Sequence, residues 1–121
     1  MTFTFTIPGE LTDLNTYIRA ERSNSLWAAK LKKEETERVA WDAKAARLPK
    51  ITDYPVYLTY TWFTPNKRKD LDNICFGQKF IQDGLVQAGV LEGDGQRYVV
   101  GFQHRFAVDP ERPRVEVYIV Y

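Results

Sequence analysis

The chain has 121 residues, the size of one domain, able to bury about two-thirds of the surface its unfolded form exposes. A formal charge of +1 excludes a globally basic nucleic-acid binder, so any positive surface must be local. A single cysteine, Cys75, excludes an internal disulfide and fits a reducing compartment.

Residues 1–7 alternate Thr with Phe and Ile, which predicts a first strand burying Phe3, Phe5 and Ile7, stopped by Pro8-Gly9. This is a strand pattern and not a signal peptide. No segment approaches the ~20 apolar residues of a membrane span, so the expectation is a cytoplasmic chain with no membrane partner. Residues 10–24 read as a polar loop carrying Asn15, Tyr17, Arg19 and Arg22. Residues 25–48 are rich in Ala, Lys and Glu and lack Gly and Pro, which predicts a long helix ended by Pro49. Its middle, Lys32 to Arg38, is almost wholly charged and must face solvent or a polyanion.

A second strand is predicted over 56–63, with Val56, Leu58, Tyr60 and Trp62 on one face. Thr64-Pro65-Asn66 ends it, and a second helix follows over 71–88, closed by Gly89 as a left-handed cap. Glu92-Gly93-Asp94-Gly95 reads as a tight turn before strands over 97–107 and 114–121. The β-α-β-α-β-β order predicts an α/β fold of two layers, one mixed sheet covered by two helices, in a single domain over 1–121.

The chemistry concentrates at Asp70-Leu71-Asp72-Asn73, directly after Lys67-Arg68-Lys69. On extended backbone, two carboxylates one residue apart lie about 6–7 Å from each other on the same side. From there they reach one hard divalent cation or two neighbouring ones. Such cations orient phosphate and lower the pKa of an attacking water, and basic neighbours suit a polyanionic substrate. The competing reading is a helix cap, since Asp is favoured there and the helical pattern starts at Leu71. Taken alone, the motif divides evenly between the two.

On the second helix, Ile74, Gly77, Ile81, Leu85 and Ala88 share one stripe, expected to pack on the sheet. Asp72, Phe76, Lys79 and Asp83 fall on nearly the opposite side, with Lys79 about two turns beyond Asp72 and in line with it. Lys79 reads either as a contact to a phosphate or as an ordinary solvated lysine. Asp94 reads as a turn residue or a third acid, with Glu92 as a substitute. His104 has no matching His or Cys partner and reads as structural, and one His with one Cys assembles no nucleophilic triad.

The segment from Lys69 to Arg97, KDLDNICFGQKFIQDGLVQAGVLEGDGQR, resembles the RusA-type Holliday-junction resolvases. These are small, homodimeric, magnesium-dependent endonucleases, many of them encoded by prophages. Their signature is Asp-x-Asp-Asn, a helix carrying a Lys and an Asp-(Ala/Gly)-Leu, a Gly-containing turn, and an acid before the next strand. A weaker match covers the rest: a first strand ending in Pro, an Asn in the next segment (Asn15), a Lys-rich helix and a final strand pair.

The resemblance implies that Asp70, Asp72 and Asp94 hold Mg2+, with Mn2+ as a substitute, and that Lys79 is the catalytic lysine. Asp83 matches the Asp of the Asp-Gly-Leu element. The chain departs from the family in one place: where better-known members carry the lysine, four residues after the second Asp, it has Phe76. Lys79 comes one helical turn later, with Lys69 or Lys67 as the fallback. The implied reaction is phosphodiester hydrolysis in DNA giving 5′-phosphate and 3′-hydroxyl ends. Resolving a four-way junction takes two such nicks, which accounts physically for a twofold dimer. Asn15, Arg19, Arg22, Lys30, Lys32, Lys33, Lys67, Arg68 and Lys69 are the candidate DNA contacts, and backbone contacts of this kind make binding salt-dependent. No nucleotide cofactor is expected. Three alternatives stand beside this reading: a protein that binds branched DNA without cutting, a metal-dependent sugar-nucleotide transferase, for whose nucleotide-binding domain the chain is too short, and a structural protein with capped helices, which would show no junction preference over plain duplex.

Overall fold

Alternating sequence builds the sheet. In the computed structural model, which describes residues 1–121, β1 (Thr2–Pro8), β2 (Val56–Thr64), β3 (Val99–Val108) and β4 (Arg114–Val120) form one sheet in the order β1-β4-β2-β3. β4 lies antiparallel between β1 and β2, whereas β2 and β3 are parallel. A parallel neighbour cannot be reached by a tight hairpin and needs a crossover. That crossover is made by two helices, α3 (Leu71–Cys75) and α4 (Gln78–Gln87).

Register aligns the inward side chains in rows. Phe5, Val117, Tyr60 and His104 are successive partners across the four strands, as are Ile7, Val115, Trp62 and Phe106. Phe5, Ile7, Leu58, Tyr60, Trp62, Val115, Val117 and Ile119 are buried in one cluster with Phe80, Ile81 and Leu85 of α4. Each such apolar side chain contributes about 1.5–3 kcal/mol by leaving water. The opposite face of the sheet, with Thr4, Thr6, Tyr57 and Tyr118 exposed, carries no helix. The fold is therefore the expected mixed-sheet α/β domain.

Three boundaries differ from the sequence reading. The supposed polar loop over 10–24 contains a helix, α1 (Leu14–Ser23), with Asp13 as its N-cap accepting from the Thr16 N–H at 2.8 Å. Its apolar residues Leu14, Tyr17 and Ile18 have helical spacing, which the surrounding polar residues masked. The long helix, α2 (Ser25–Ala45), starts as expected, with the Asn24 side chain accepting from the Leu26 N–H. It ends short of Pro49: Arg47 turns to φ 55° and the Leu48 N–H reaches back to the Ala43 carbonyl at 3.3 Å.

The third difference lies in the crossover between β2 and β3. The helix expected over 71–88 is broken between α3 and α4, where Gly77 bonds to Ile74 and Lys79 to Phe76 in tight three-residue steps. Phe76, expected on the outer side, instead packs on Tyr17 at 5.2 Å and Phe80 at 5.5 Å between ring centres. Gly89 has φ 80°, as the left-handed end of α4 predicted.

Candidate functional site

The two aspartates of the central motif stand at the start of a helix, not on the extended segment used to estimate their separation. Asp70 occupies the N-cap position of α3, and its backbone carbonyl accepts from the Ile74 N–H at 3.2 Å, yet its carboxylate makes no capping bond. Asp72 lies in the first turn and accepts only from the neighbouring Asn73 N–H, at 3.0 Å. Both residues are exposed. Asn73 behaves differently: it is buried, and its side-chain oxygen accepts from the Asn15 N–H at 2.9 Å. The Asn of the motif thus clamps the start of α1 against α3, and Asn15, a candidate DNA contact, is held there by its backbone with its side chain toward solvent.

The basic run preceding the motif is divided in use. Lys69 Nζ lies 2.9 Å from Asp13 and 3.7 Å from Glu10, so it joins the α1 cap to the motif. Burial pushes the Asp13 carboxyl up, but the Lys69 hydrogen bond and the Thr16 contacts together bring it below its ordinary value. The Asp13 hydrogen bond in turn raises Lys69. Lys67 and Arg68 are exposed and make no ion pair. Arg19 and Arg22 line a shallow hollow with Asn15 along α1. On α2, Lys30 pairs loosely with Glu34 at 3.8 Å, while Lys32 and Lys33 are exposed. None of these cations is individually distinguished by its surroundings; an exposed pair such as Lys30–Glu34 contributes about 0–1 kcal/mol.

The second half of the crossover gathers the remaining candidates. Lys79 Nζ is 3.2 Å from Asp83 and 3.9 Å from Asp94. The first pair is the i,i+4 neighbour relation of a helix. The second joins α4 to the Glu92–Gly95 turn, 15 residues downstream of Lys79. Lys79 and Asp94 line an open hollow of about 500 Å³ with Cys75, Phe76, Gln78 and Gln82. The structure therefore brings Lys79, Asp83 and Asp94 together.

Asp70 and Asp72 suit a hard divalent cation by chemistry: their oxygens are anionic, exposed and nearly free of hydrogen bonds. Asp94 is engaged by Lys79, and no three acidic, His or Cys side chains converge into one cation-binding group. The donor types match, while the third carboxylate is held elsewhere.

Gln78 and Gln82 belong to no motif of the sequence, and His104 has no matching His or Cys in it. The three are linked to Tyr60 and Trp62 by hydrogen bonds beneath the hollow. One signal was available. His104 alternates with Phe102 and Phe106, which places it on the inward face, where a polar ring needs partners. No helix of the chain is long and apolar enough to cross a membrane. No protein-family model matches the chain, and no curated protein matches it significantly.

Proposed function

We propose that this chain is a magnesium-dependent endodeoxyribonuclease that resolves four-way DNA junctions, acting as a homodimer that makes paired nicks. The observation that supports it most is the state of Asp70 and Asp72. Asp70 sits at the cap position without capping, Asp72 in the first turn accepts only from the adjacent Asn73 N–H, and both remain exposed just after Lys67 and Arg68 in the chain. Leaving two carboxylates with so few protein donors beside cations suits a site whose partners arrive with the substrate. Magnesium held by Asp70 and Asp72 would supply charge neutralisation and an acidified water, and Asp94 would join it only on leaving Lys79. Lys79, which lies next to Asp94, would face charge developing on a phosphate. Lys67, Arg68, Arg19, Arg22, Lys30 and Lys33 would follow the DNA backbone, Asn15 and Lys69 setting the local frame.

The test is nicking of a synthetic four-way junction in Mg2+ or Mn2+, with linear duplex as control. Symmetric nicks with 5′-phosphate ends, absent in Asp72→Asn, are expected; normal cutting by Asp72→Asn removes the assigned site. A second reading, a protein that binds branched DNA without cutting, draws on the Lys79–Asp94 pair, which leaves the three acids ungathered. Tight junction binding by the wild-type chain without any nicking selects it.

A further inference from the structure

Beneath the hollow beside Lys79 runs a chain of hydrogen bonds whose direction is set at one end. The Trp62 indole N–H can only donate, and it lies 2.9 Å from His104 Nδ1. Nδ1 must therefore accept, so in the neutral ring the proton sits on Nε2. Burial lowers the His104 pKa and keeps the ring neutral. The Nε2–H then donates to Gln78 Oε1 at 3.0 Å. With its oxygen so assigned, Gln78 presents Nε2 to Gln82 Oε1, 2.7 Å away. The Tyr60 hydroxyl donates to that same oxygen at 2.9 Å, and burial raises the Tyr60 pKa, so its proton stays in place.

Gln82 Oε1 is thus occupied by two donors, and the orientation of its amide follows from that of His104 and Gln78. Its Nε2 is left with no acceptor in the chain, is not enclosed as an unsatisfied buried atom, and belongs to a residue lining the hollow with Lys79 and Asp94. Four side chains, Trp62, His104, Gln78 and Tyr60, orient the one neutral N–H2 group of Gln82. Asp83 and Asp94 together outweigh the single charge of Lys79 here, so a lone anion gains little from the hollow. An oxygen that arrives together with a cation for the carboxylates is a better match.

The geometry points to Gln82 as a substrate contact: its amide donates to a non-bridging phosphodiester oxygen of DNA beside Lys79, with His104 and Gln78 as positioning residues that fix which way the amide faces. The assignment rests on the nuclease reading above and adds to it a residue, its partner atom and the device that orients it.

The experiment measures binding of a synthetic four-way junction in Ca2+ by wild type, Gln82→Met and Gln82→Glu, each checked for an unchanged melting temperature. Gln82→Met removes the donor at similar size. Gln82→Glu keeps an acceptor for Tyr60 and Gln78 but turns an oxygen outward. Affinity is expected to fall about tenfold for Met, the size of one hydrogen bond to a charged group, and further for Glu; with EDTA in place of Ca2+ the three converge. Equal affinity of all three in Ca2+, with wild type binding the junction, overturns the Gln82 assignment alone. Failure of the wild-type chain to bind or nick any junction overturns the nuclease reading, and the assignment with it. Imidazole nitrogen shifts of His104 supply a readout that packing alone would not move: an Nε2–H tautomer is expected, and an Nδ1–H tautomer overturns the positioning role.

Discussion

The two halves of the crossover treat their acids in opposite ways. Along α3, Asp70 and Asp72 face solvent with at most one local hydrogen bond between them and the rest of the protein. At α4 and the turn that follows it, Asp83 and Asp94 both lie near Lys79, and the side chains beneath them are linked in a continuous hydrogen-bonded chain. The contrast separates two jobs that look alike in sequence. Carboxylates left unpaired keep their charge available to something that comes from outside. Carboxylates held by a lysine fix the position of that lysine, and the frame beneath fixes the helix that carries it.

Removing one of the unpaired acids should have the largest effect on activity and the smallest on folding. Asp72→Asn is expected to lower junction nicking by about a hundredfold or more, as loss of a metal ligand would. Its urea unfolding should shift by no more than about 0.5 kcal/mol, because the side chain is exposed. Unchanged nicking would mean that the free acids of α3 are only surface charge.

On the α4 side, Lys79→Met should reduce nicking by roughly ten- to a hundredfold while moving stability by about 1 kcal/mol or less, since its ion pairs are exposed and screened. A wild-type rate in single-turnover measurements would transfer the lysine role to Lys67 or Lys69.

Gly84→Ala probes the frame that holds α4. A Cβ there would stand 2.6 Å from Val39 of α2 and 3.0 Å from the Thr36 carbonyl. The overpacking, partly offset by the better helix propensity of Ala, should cost about 1–2 kcal/mol in a thermal or urea melt. Nicking per folded molecule should fall through a displaced Lys79, with Asp70 and Asp72 undisturbed; a variant as stable as wild type would show that α4 has room to move off α2.

Lys69→Met should have the smallest effect, a loss of up to about 1 kcal/mol at neutral pH, discounted for its partial exposure. Its pH dependence carries the information. Asp13 has a lowered folded pKa, so its contribution is present above the unfolded pKa and lost as pH falls through the folded one. Lys69 has a raised folded pKa, so its contribution is present below the unfolded pKa and lost as pH rises through the folded one. The difference in unfolding free energy between wild type and Lys69→Met should therefore be level around neutrality and shrink toward both extremes. A difference that grows in acid would place the partner of Lys69 elsewhere.

Much of the fold was legible because it rests on short-range pattern. Thr–Phe alternation wrote β1, the Val56–Trp62 alternation wrote β2, and Gly89 marked the end of α4. Three features were not legible for reasons of context. Polar residues around Leu14, Tyr17 and Ile18 hid α1, whose cap depends on Asp13. The break at Phe76 answers to Tyr17 and Phe80, and Tyr17 lies 59 positions earlier in the chain. His104 could be read as inward-facing, but its partners Trp62 and Gln78 come from β2 and α4.

The candidate site divides along the same line. Local sequence by itself determined that two acids one residue apart follow a basic run, and that Lys79 and Asp83 share a helix face, since a 3.6-residue period brings i and i+4 together. Only the tertiary structure decided that Asp70 would stand at a cap without capping, that Lys69 would turn back to Asp13, that Asp94 would meet Lys79, and that Gln82 would be aimed by Trp62 through His104. Those outcomes depend on strand order and helix placement, which bring together groups far apart in the chain, and no window of local sequence contains both partners.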